Sequence, residues 1–333
     1  MFRALAVFAA LLLATAATAA PLKIATVAPE GSGWMREMRA GAAAIRQRTD
    51  GRVELKFYPA GVMGNNAAVI RKIKLGQLHG AAFTGAEASA VYSDAPIYGL
   101  PFLFRDYAEI DHVRASVDPL LRAGFAAKGM VAAGISGGGF AYLMGTRPIR
   151  THEELRDAKV WTPQSDRISE AAFEAGGVSA IPLPLTDVYP GLQTGLIDTV
   201  ANTFAGAIFF QWHTKVKHVV DLPLTFVVGY LLLDDKALAR VAEPDRAIVL
   251  EEVQGAFDRI DESSRRDNDA ARATLVKLGV AFIAPTSVEA GRWREIGDKA
   301  ERQLIAEGEF MPATVAAIRA SLAALRAGQG KAR

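Results

Sequence analysis

The residues that could carry out covalent chemistry or bind a metal are few and widely separated. The sequence contains no cysteine, which excludes disulfides, thiolate metal sites and cysteine nucleophiles. It has five histidines and no HExxH motif. His213 and His218 are five residues apart, a spacing that does not place both side chains on one helical face. We therefore predict neither a metal site nor a bound cofactor.

One short motif matches the nucleophile elbow of serine hydrolases. Residues 134–138 read Gly-Ile-Ser-Gly-Gly, which fits GxSxG with Ser136 as the nucleophile. No helical pattern follows Ser136, as an elbow requires, so a glycine-rich loop is the favoured interpretation. Residues 31–33 lack the third glycine of a dinucleotide-binding loop, and no phosphate-binding GK[ST] motif occurs. We predict a binding protein and no enzyme, with a Ser136 hydrolase as the alternative.

Length and charge narrow the class of protein further. The chain has 333 residues, enough for about two domains, and 50% of them are hydrophobic. Its 38 basic and 36 acidic residues give a formal net charge of only +2. Such a balance argues against nucleic acid or an anionic membrane surface as the main partner.

The first residues have the pattern of an export signal. Residues 1–19 carry one charge, Arg3, followed by an apolar run from Ala4 to Ala14 and the small-residue sequence Ala17-Thr18-Ala19. A buried N-terminal helix is the alternative interpretation. The small-residue pattern predicts cleavage near Ala19. Because no later stretch of 18 residues is apolar enough to span a bilayer, we expect an exported mature protein.

The elements that would position a site alternate between strands and helices. In the first half the pattern predicts strands at 22–27, 53–58 and 79–84, with helices at 34–45 and 66–75 between them. After residue 139 it predicts a capping box at 151–154, strands at 159–162, 178–183 and 196–202, and helices at 165–176 and 186–192. This alternation predicts an α/β fold with a largely parallel sheet.

Two polar residues occupy matching positions in the two halves. Thr84 lies eight residues after Gly76, and Asn202 lies seven residues after Gly195, each at the end of a predicted strand. In open α/β sheets, ligands bind at the carboxyl ends of the strands. We therefore predict that Thr84 and Asn202 contact a ligand from opposite lobes; the alternative is chance similarity of a common helix–glycine–strand motif.

One predicted helix is far longer than the others. It runs from Pro244 to Leu278, about 52 Å at 1.5 Å per residue. Residues 261–269 are almost wholly polar, so we expect its middle to cross solvent between two packed ends. Such a helix is a strut between two lobes, and its predicted core face consists of Ile248, Val253, Phe257 and Ile260.

Five motifs follow one another along the mature chain. They are Thr49-Asp50-Gly51-Arg52-Val53, Tyr58-Pro59-Ala60-Gly61-Val62-Met63-Gly64, Leu100-Pro101-Phe102, Pro148-Ile149-Arg150-Thr151, and Asp187-Val188-Tyr189 with Gln193-Thr194-Gly195-Leu196-Ile197-Asp198. Their order resembles that of the solute-binding subunits of TRAP transporters, the DctP family. The resemblance implies a two-lobe periplasmic clamshell with mixed, mostly parallel sheets and a long interlobe strut helix. It also implies closure on one small ligand and docking on a sodium-driven membrane permease.

The chain departs from this family where a substrate carboxylate would bind. The resemblance places an arginine in the strand at Trp161, where it pairs with the carboxylate. A second arginine often follows a Gly-Phe pair that is followed here by Ala141. The usual polar position after the first strand falls near Val27, while the pocket asparagine is retained as Asn202. The chain is thus a variant that lacks the usual carboxylate-binding arginines.

Two interpretations of Trp161 stay open. As a pocket wall it favours an uncharged or partly apolar ligand, because an unpaired carboxylate is costly to bury. As a core aromatic it leaves a carboxylate to another cation, with Arg105, Arg147 and Arg167 as candidates. Aromatic walls from Tyr92 and Trp212 are further options. The predicted ligand-binding residues are Trp161, Asn202, Thr84, Trp34, Ala141, Val27, Asn66 and Leu185.

The predicted function is capture of a small organic solute by lobe closure and its delivery to the permease subunits of a TRAP-type transporter. The predicted division is 1–19 for the signal peptide, 20–138 plus 228–267 for lobe I, and 139–227 plus 268–330 for lobe II. Pockets without arginine resemble TRAP variants that work with a periplasmic TPR-repeat protein, which is a further candidate partner. A ligand-sensing periplasmic protein is the other alternative.

Overall fold

Residues 21–331, which the computed structural model describes, contain ten strands. The predicted signal peptide, residues 1–19, and its cleavage site lie outside the described residues. The strands are β1 (Leu22–Ala25), β2 (Leu55–Tyr58), β3 (Gly80–Thr84), β4 (Met130–Gly145), β5 (Val160–Pro163), β6 (Ala180–Leu183), β7 (Thr199–Asn202), β8 (His218–Val220), β9 (Thr225–Asp234) and β10 (Ala281–Ile283).

The same described residues contain twelve α-helices and three 3-10 helices. None of these helices combines the length and the hydropathy needed to cross a bilayer. The α-helices are α1 (Gly33–Arg48), α2 (Asn66–Lys74), α3 (Gly85–Ala88), α4 (Tyr107–Ala127), α5 (His152–Arg156), α6 (Arg167–Ala175), α7 (Val188–Thr194), α8 (Phe204–Phe209), α9 (Asp235–Leu238), α10 (Glu243–Lys277), α11 (Ser287–Ala306) and α12 (Pro312–Lys331), and the 3-10 helices are Ile97–Gly99, Leu185–Asp187 and Trp212–Thr214.

The sheet consists of two parallel groups joined by two long antiparallel strands. In the first group β1 pairs with β2 and β3, and in the second group β5 pairs with β6 and β7. Strand β9 joins β3 to β4 in antiparallel register, and β4 continues antiparallel to β7. The α/β architecture with a mixed sheet is confirmed, and β4 joins the two groups by pairing with β9 along one part of its length and with β7 along another.

Polar side chains begin several helices, among them the one for which a capping box is predicted at 151–154. The Ser32 hydroxyl accepts from the Met35 N–H at the start of α1, and the Thr151 hydroxyl accepts from the Glu154 N–H at the start of α5. The Glu154 carboxylate accepts from the N–H of Arg150 instead of that of Thr151, so the predicted capping box is only half formed. The helix predicted at 186–192 begins at residue 188, after a 3-10 turn.

Helix α10 has the predicted length, 35 residues, but its polar middle does not cross solvent. Asp261 Oδ1 accepts from the Gly137 N–H of β4 at 2.5 Å. Asn268, 6% exposed, donates from Nδ2 to the Gly138 carbonyl at 2.8 Å and accepts from the Ala205 N–H at 3.1 Å. The expectation of a solvated middle is wrong, because these polar side chains bind buried backbone groups.

The glycines of β4 allow the side chains of α10 to reach the backbone of the strand. A Cβ on Gly137 would lie 2.6 Å from the Phe226 ring, and one on Gly139 would lie 2.5 Å from Asn268 Nδ2. Gly139 also has φ +111°, in the region that favours glycine. Residues 134–138 therefore form part of a strand, and the prediction of a glycine-rich loop is wrong.

The last helix, α12, packs on α4 through one nearly buried carboxylate. Glu109, 1% exposed, accepts from Arg326 Nε at 2.7 Å and from Arg326 Nη2 at 2.8 Å. Burial alone would raise the pKa of Glu109, but the hydrogen bonds from Arg326 and the Arg105 N–H outweigh it and lower the pKa. By these contacts α12 groups with α4 of the proposed lobe I, although the lobe boundaries as a whole stay a prediction.

We expect Asn268→Ala to lower the free energy of unfolding by about 2 kcal/mol. The substitution leaves the Gly138 carbonyl and the Ala205 N–H buried without partners. Urea titration followed by circular dichroism measures the change. The control is Asp269→Ala, an exposed neighbour on the same helix, and an equal loss in both variants would contradict the role of Asn268.

We expect Arg326→Ala to cost about 2 kcal/mol at pH 7, because it leaves the Glu109 carboxylate without its bidentate partner. A carboxyl whose pKa is lowered on folding stabilises above its unfolded pKa, and this contribution is lost as pH falls through the lowered folded value. The cost should therefore shrink in acid. Arg319→Ala, on the same helix as Arg326, breaks a more exposed pair with Glu301 of α11 and should cost less than about 0.5 kcal/mol.

Candidate functional site

A cavity of about 560 Å³ lies between the two parallel groups of the sheet. Its walls include Val27, just after β1, and Thr84 at the end of β3. They also include Trp161 in β5 and Asn202 at the end of β7. Trp34, Ala141, Asn66 and Leu185 line it as well. The structure thus brings together all eight residues that the sequence suggested, and their contact with a ligand stays a prediction.

Thr84 ends β3 and begins α3, and its polar atoms bond within the chain. Its hydroxyl oxygen accepts from the Glu87 N–H at 3.2 Å. Glu87 Oε2 in turn accepts from the Thr84 N–H at 2.9 Å and from its O–H at 3.1 Å. Because this capping box occupies the hydroxyl, the polar group that this end of β3 offers to the cavity is the Glu87 carboxylate.

Asn202 is held at the end of β7 by its neighbours. Its Oδ1 accepts from the Thr203 N–H at 2.8 Å, while the Thr203 hydroxyl accepts from the Gly206 N–H and begins α8. A Cβ on Gly206 would lie 2.7 Å from Asn202 Cγ, so this amide needs a glycine beside it. Within residues 21–331, Asn202 Nδ2 makes no hydrogen bond.

Trp161 fits both interpretations that the sequence left open. It is 5% exposed and packs edge-to-face on Trp212 with ring centroids 5.4 Å apart, as a core aromatic does. Its indole N–H donates to the Leu183 carbonyl at 3.0 Å. The surface that remains forms part of the cavity wall. Trp212 lies behind it, fully buried, and Tyr92 packs on Phe125, so neither lines the cavity.

The positive charges considered from the sequence lie elsewhere. Arg147 Nε is 3.8 Å from Asp198, and Arg105 Nε is 4.0 Å from Glu109. Arg167 pairs with two glutamates outside the cavity. Among the described residues, the cavity wall contains no lysine, arginine or histidine.

Three carboxylates line the same cavity: Glu87, Asp166 and Asp267. Burial raises the pKa of Glu87, against the opposing hydrogen bonds from Thr84. Burial also raises the pKa of Asp166, which is 8% exposed and accepts from the Ser169 O–H at 2.6 Å. None of these three residues is among those predicted from the sequence. The Thr-x-x-Glu pattern at 84–87 is the signal that would have identified Glu87.

Ser136 does not have the surroundings of a hydrolase nucleophile. It lies inside β4, opposite Gly229, and is 4% exposed. A nucleophile elbow sits at a sharp turn from a strand into a helix, and β4 continues for nine residues beyond Ser136, to Gly145. In the described part of the chain, no histidine lines the cavity beside this serine.

Comparison with known sequences gives the family. The model of the family described as bacterial extracellular solute-binding protein, family 7 (DctP), matches residues 24–307. The 2,3-diketo-L-gulonate-binding periplasmic protein YiaO of Escherichia coli strain K12 is 29% identical over 242 residues, 66% of this chain and 72% of that protein. The C4-dicarboxylate-binding periplasmic protein DctP of Rhodobacter capsulatus is 23% identical over 283 residues, 83% of each chain.

Solved structures share the fold over nearly the whole chain. A TRAP periplasmic solute-binding protein from Desulfovibrio salexigens with bound orotic acid has a TM-score of 0.83 at 20% identity, covering 91% of this chain and 98% of that one. One from Haemophilus influenzae with bound L-gulonate has a TM-score of 0.84 at 14% identity, covering 90% and 99%. The predicted two-lobe fold is confirmed, and the chain belongs to family 7 of the bacterial extracellular solute-binding proteins, the DctP family of TRAP transporters.

Proposed function

We propose that this protein captures a small organic solute in the periplasm and delivers it to the membrane permease of a TRAP transporter. The observation that carries the proposal is the cavity of about 560 Å³ between the two groups of strands. Its volume is in the range of small-molecule sites in proteins. A solute in this position contacts both groups, and those joint contacts favour the closed state over the open one.

The walls favour a partly apolar solute without a carboxylate group. Trp161, Leu185 and Phe209 present apolar surface, and none of the described lining residues is a cation. A buried carboxylate on the ligand would lack a positive partner, which is costly. The relatives named for 2,3-diketo-L-gulonate and C4-dicarboxylates bind acids, so this chain has the same fold with a different specificity.

Three finer features belong to the same proposal. The signal peptide is cleaved near Ala19, which N-terminal sequencing of the exported protein tests. The chain divides into the lobes 20–138 plus 228–267 and 139–227 plus 268–330, with α12 at the end of the last segment packed on α4 of the first lobe. A periplasmic TPR-repeat protein assists transport, as the analogy with arginine-less variants suggests, and ligand-dependent co-purification tests this partner.

Freshly purified protein should carry its solute, because a site that closes on a ligand releases it slowly. Native mass spectrometry should show one added small molecule, and the molecule released on unfolding should contain no carboxylate. Protein that has been unfolded, dialysed and refolded is the control and should lack the added mass. Recovery of a simple dicarboxylate would contradict the proposed specificity.

Gly206→Ala should weaken binding of the co-purified solute about tenfold. The new Cβ displaces the Asn202 amide from the cavity wall, at the cost of one hydrogen bond to the ligand. Isothermal titration calorimetry with the identified solute measures the loss. Gly291→Ala is the matched control, since Gly291 is also helical and a Cβ there meets nothing within 4 Å. Equal affinities in the two variants would show that the Asn202 amide does not contribute to ligand binding.

A further inference from the structure

The polar wall at the end of β3 is built of hydrogen-bond acceptors. Both hydrogen bonds to the Glu87 carboxylate end on Oε2, so Oε1 accepts none from the described residues. Asn66 lies beside it and donates from Nδ2 to the Glu87 backbone carbonyl at 2.9 Å. This bond fixes the amide, and Asn66 Oδ1 is buried without a hydrogen-bond partner in the described part of the chain. Glu87 Oε1 is thus the acceptor that this end of the cavity offers to a donor, whereas Asn66 Oδ1 lies below the surface that a ligand can reach.

The charge of the wall determines which donor is suitable. Asp166 and Asp267 add two more carboxylates to Glu87, and the described lining contains no cation. An anionic ligand would be repelled by these residues, because every charged side chain of the described wall is acidic. Because burial raises the pKa of Glu87, a neutral or anionic ligand beside it favours the uncharged acid, whereas a cation favours the carboxylate and pairs with it.

We propose that the solute carries a positively charged nitrogen on a partly apolar skeleton, with the Glu87 carboxylate accepting its N–H bond. The proposal rests on solute capture by this cavity and specifies the ligand class. The ammonium group lies against the β3 end, and the skeleton extends toward Trp161 and Leu185 on the opposite wall. The relatives named for acids would differ from this chain in the sign of the ligand charge.

Three probes with a common ring and different charge test the proposal: 2-phenylethylamine, 2-phenylethanol and phenylacetate. Each is added to refolded, solute-free protein, and the thermal midpoint and the affinity by calorimetry are measured. We expect the amine to raise the midpoint most and to bind at least about tenfold more tightly than the other two. Stronger binding of the alcohol or the carboxylate would contradict the proposed positive charge of the solute and would leave the proposal of solute capture unchanged. No binding of any probe would also overturn the proposed cation on an apolar skeleton, whereas solute capture fails only if the freshly purified protein carries no solute.

Glu87→Gln separates charge from shape. Glutamine is compatible with the capping box at Thr84, so the variant keeps the fold and removes only the negative charge. Amine affinity should fall about tenfold or more, with the alcohol unaffected. Asp298→Asn, an exposed carboxylate outside the cavity, is the control. Asn66→Leu, of similar volume, is the second variant: it removes the hydrogen bond that positions the Glu87 backbone and should weaken the amine selectively. Unchanged amine affinity in both cavity variants would refute the assignment.

Discussion

The crossing of β4 by α10 is the contact on which the two halves of the molecule depend. A strand segment made of glycine has no side chains with which to anchor itself, yet its buried N–H and C=O groups must find partners. Asp261 and Asn268 supply them from the helix. Arg114 fixes this arrangement from α4, donating to Asp261 at 2.8 Å and to the Ile135 carbonyl at 2.8 Å. The long strand thereby joins both parallel groups at a defined position.

This arrangement also explains where the cavity lies and why its chemistry can change. The ends of β3 and β7 face one space because β4 and β9 connect the groups to which they belong. The backbone sets the location, whereas the side chains on the wall set the charge. Proteins that share this fold are described with bound acids. The wall of this chain carries carboxylates and no positive group among its described residues, so its specificity has to be argued from these side chains and not from the fold.

Much of this was predictable from the sequence. The sequence pattern predicts both ends of α10 to within one residue. The rule that ligands bind at the carboxyl ends of strands in open α/β sheets identifies Thr84 and Asn202, which line one cavity. The polar middle of α10 was misjudged because sequence patterns equate polar with exposed, whereas Asn268 is buried by backbone partners. Glu87 and Asp166 were missed for a related reason. A capping residue looks the same in a sequence whether its carboxylate meets solvent or a cavity.

The edge-to-face contact between Trp161 and Trp212 places two fluorescent side chains at the wall of the cavity and directly behind it. Trp161 forms part of the wall, and its neighbour lies within 5.4 Å, so their emission responds to the polarity of the space beside them. Trp34 lines the same space, and only one other tryptophan, Trp293, lies away from it. Most of the intrinsic fluorescence of the protein therefore originates at or next to the site, and occupancy can be followed in unlabelled protein.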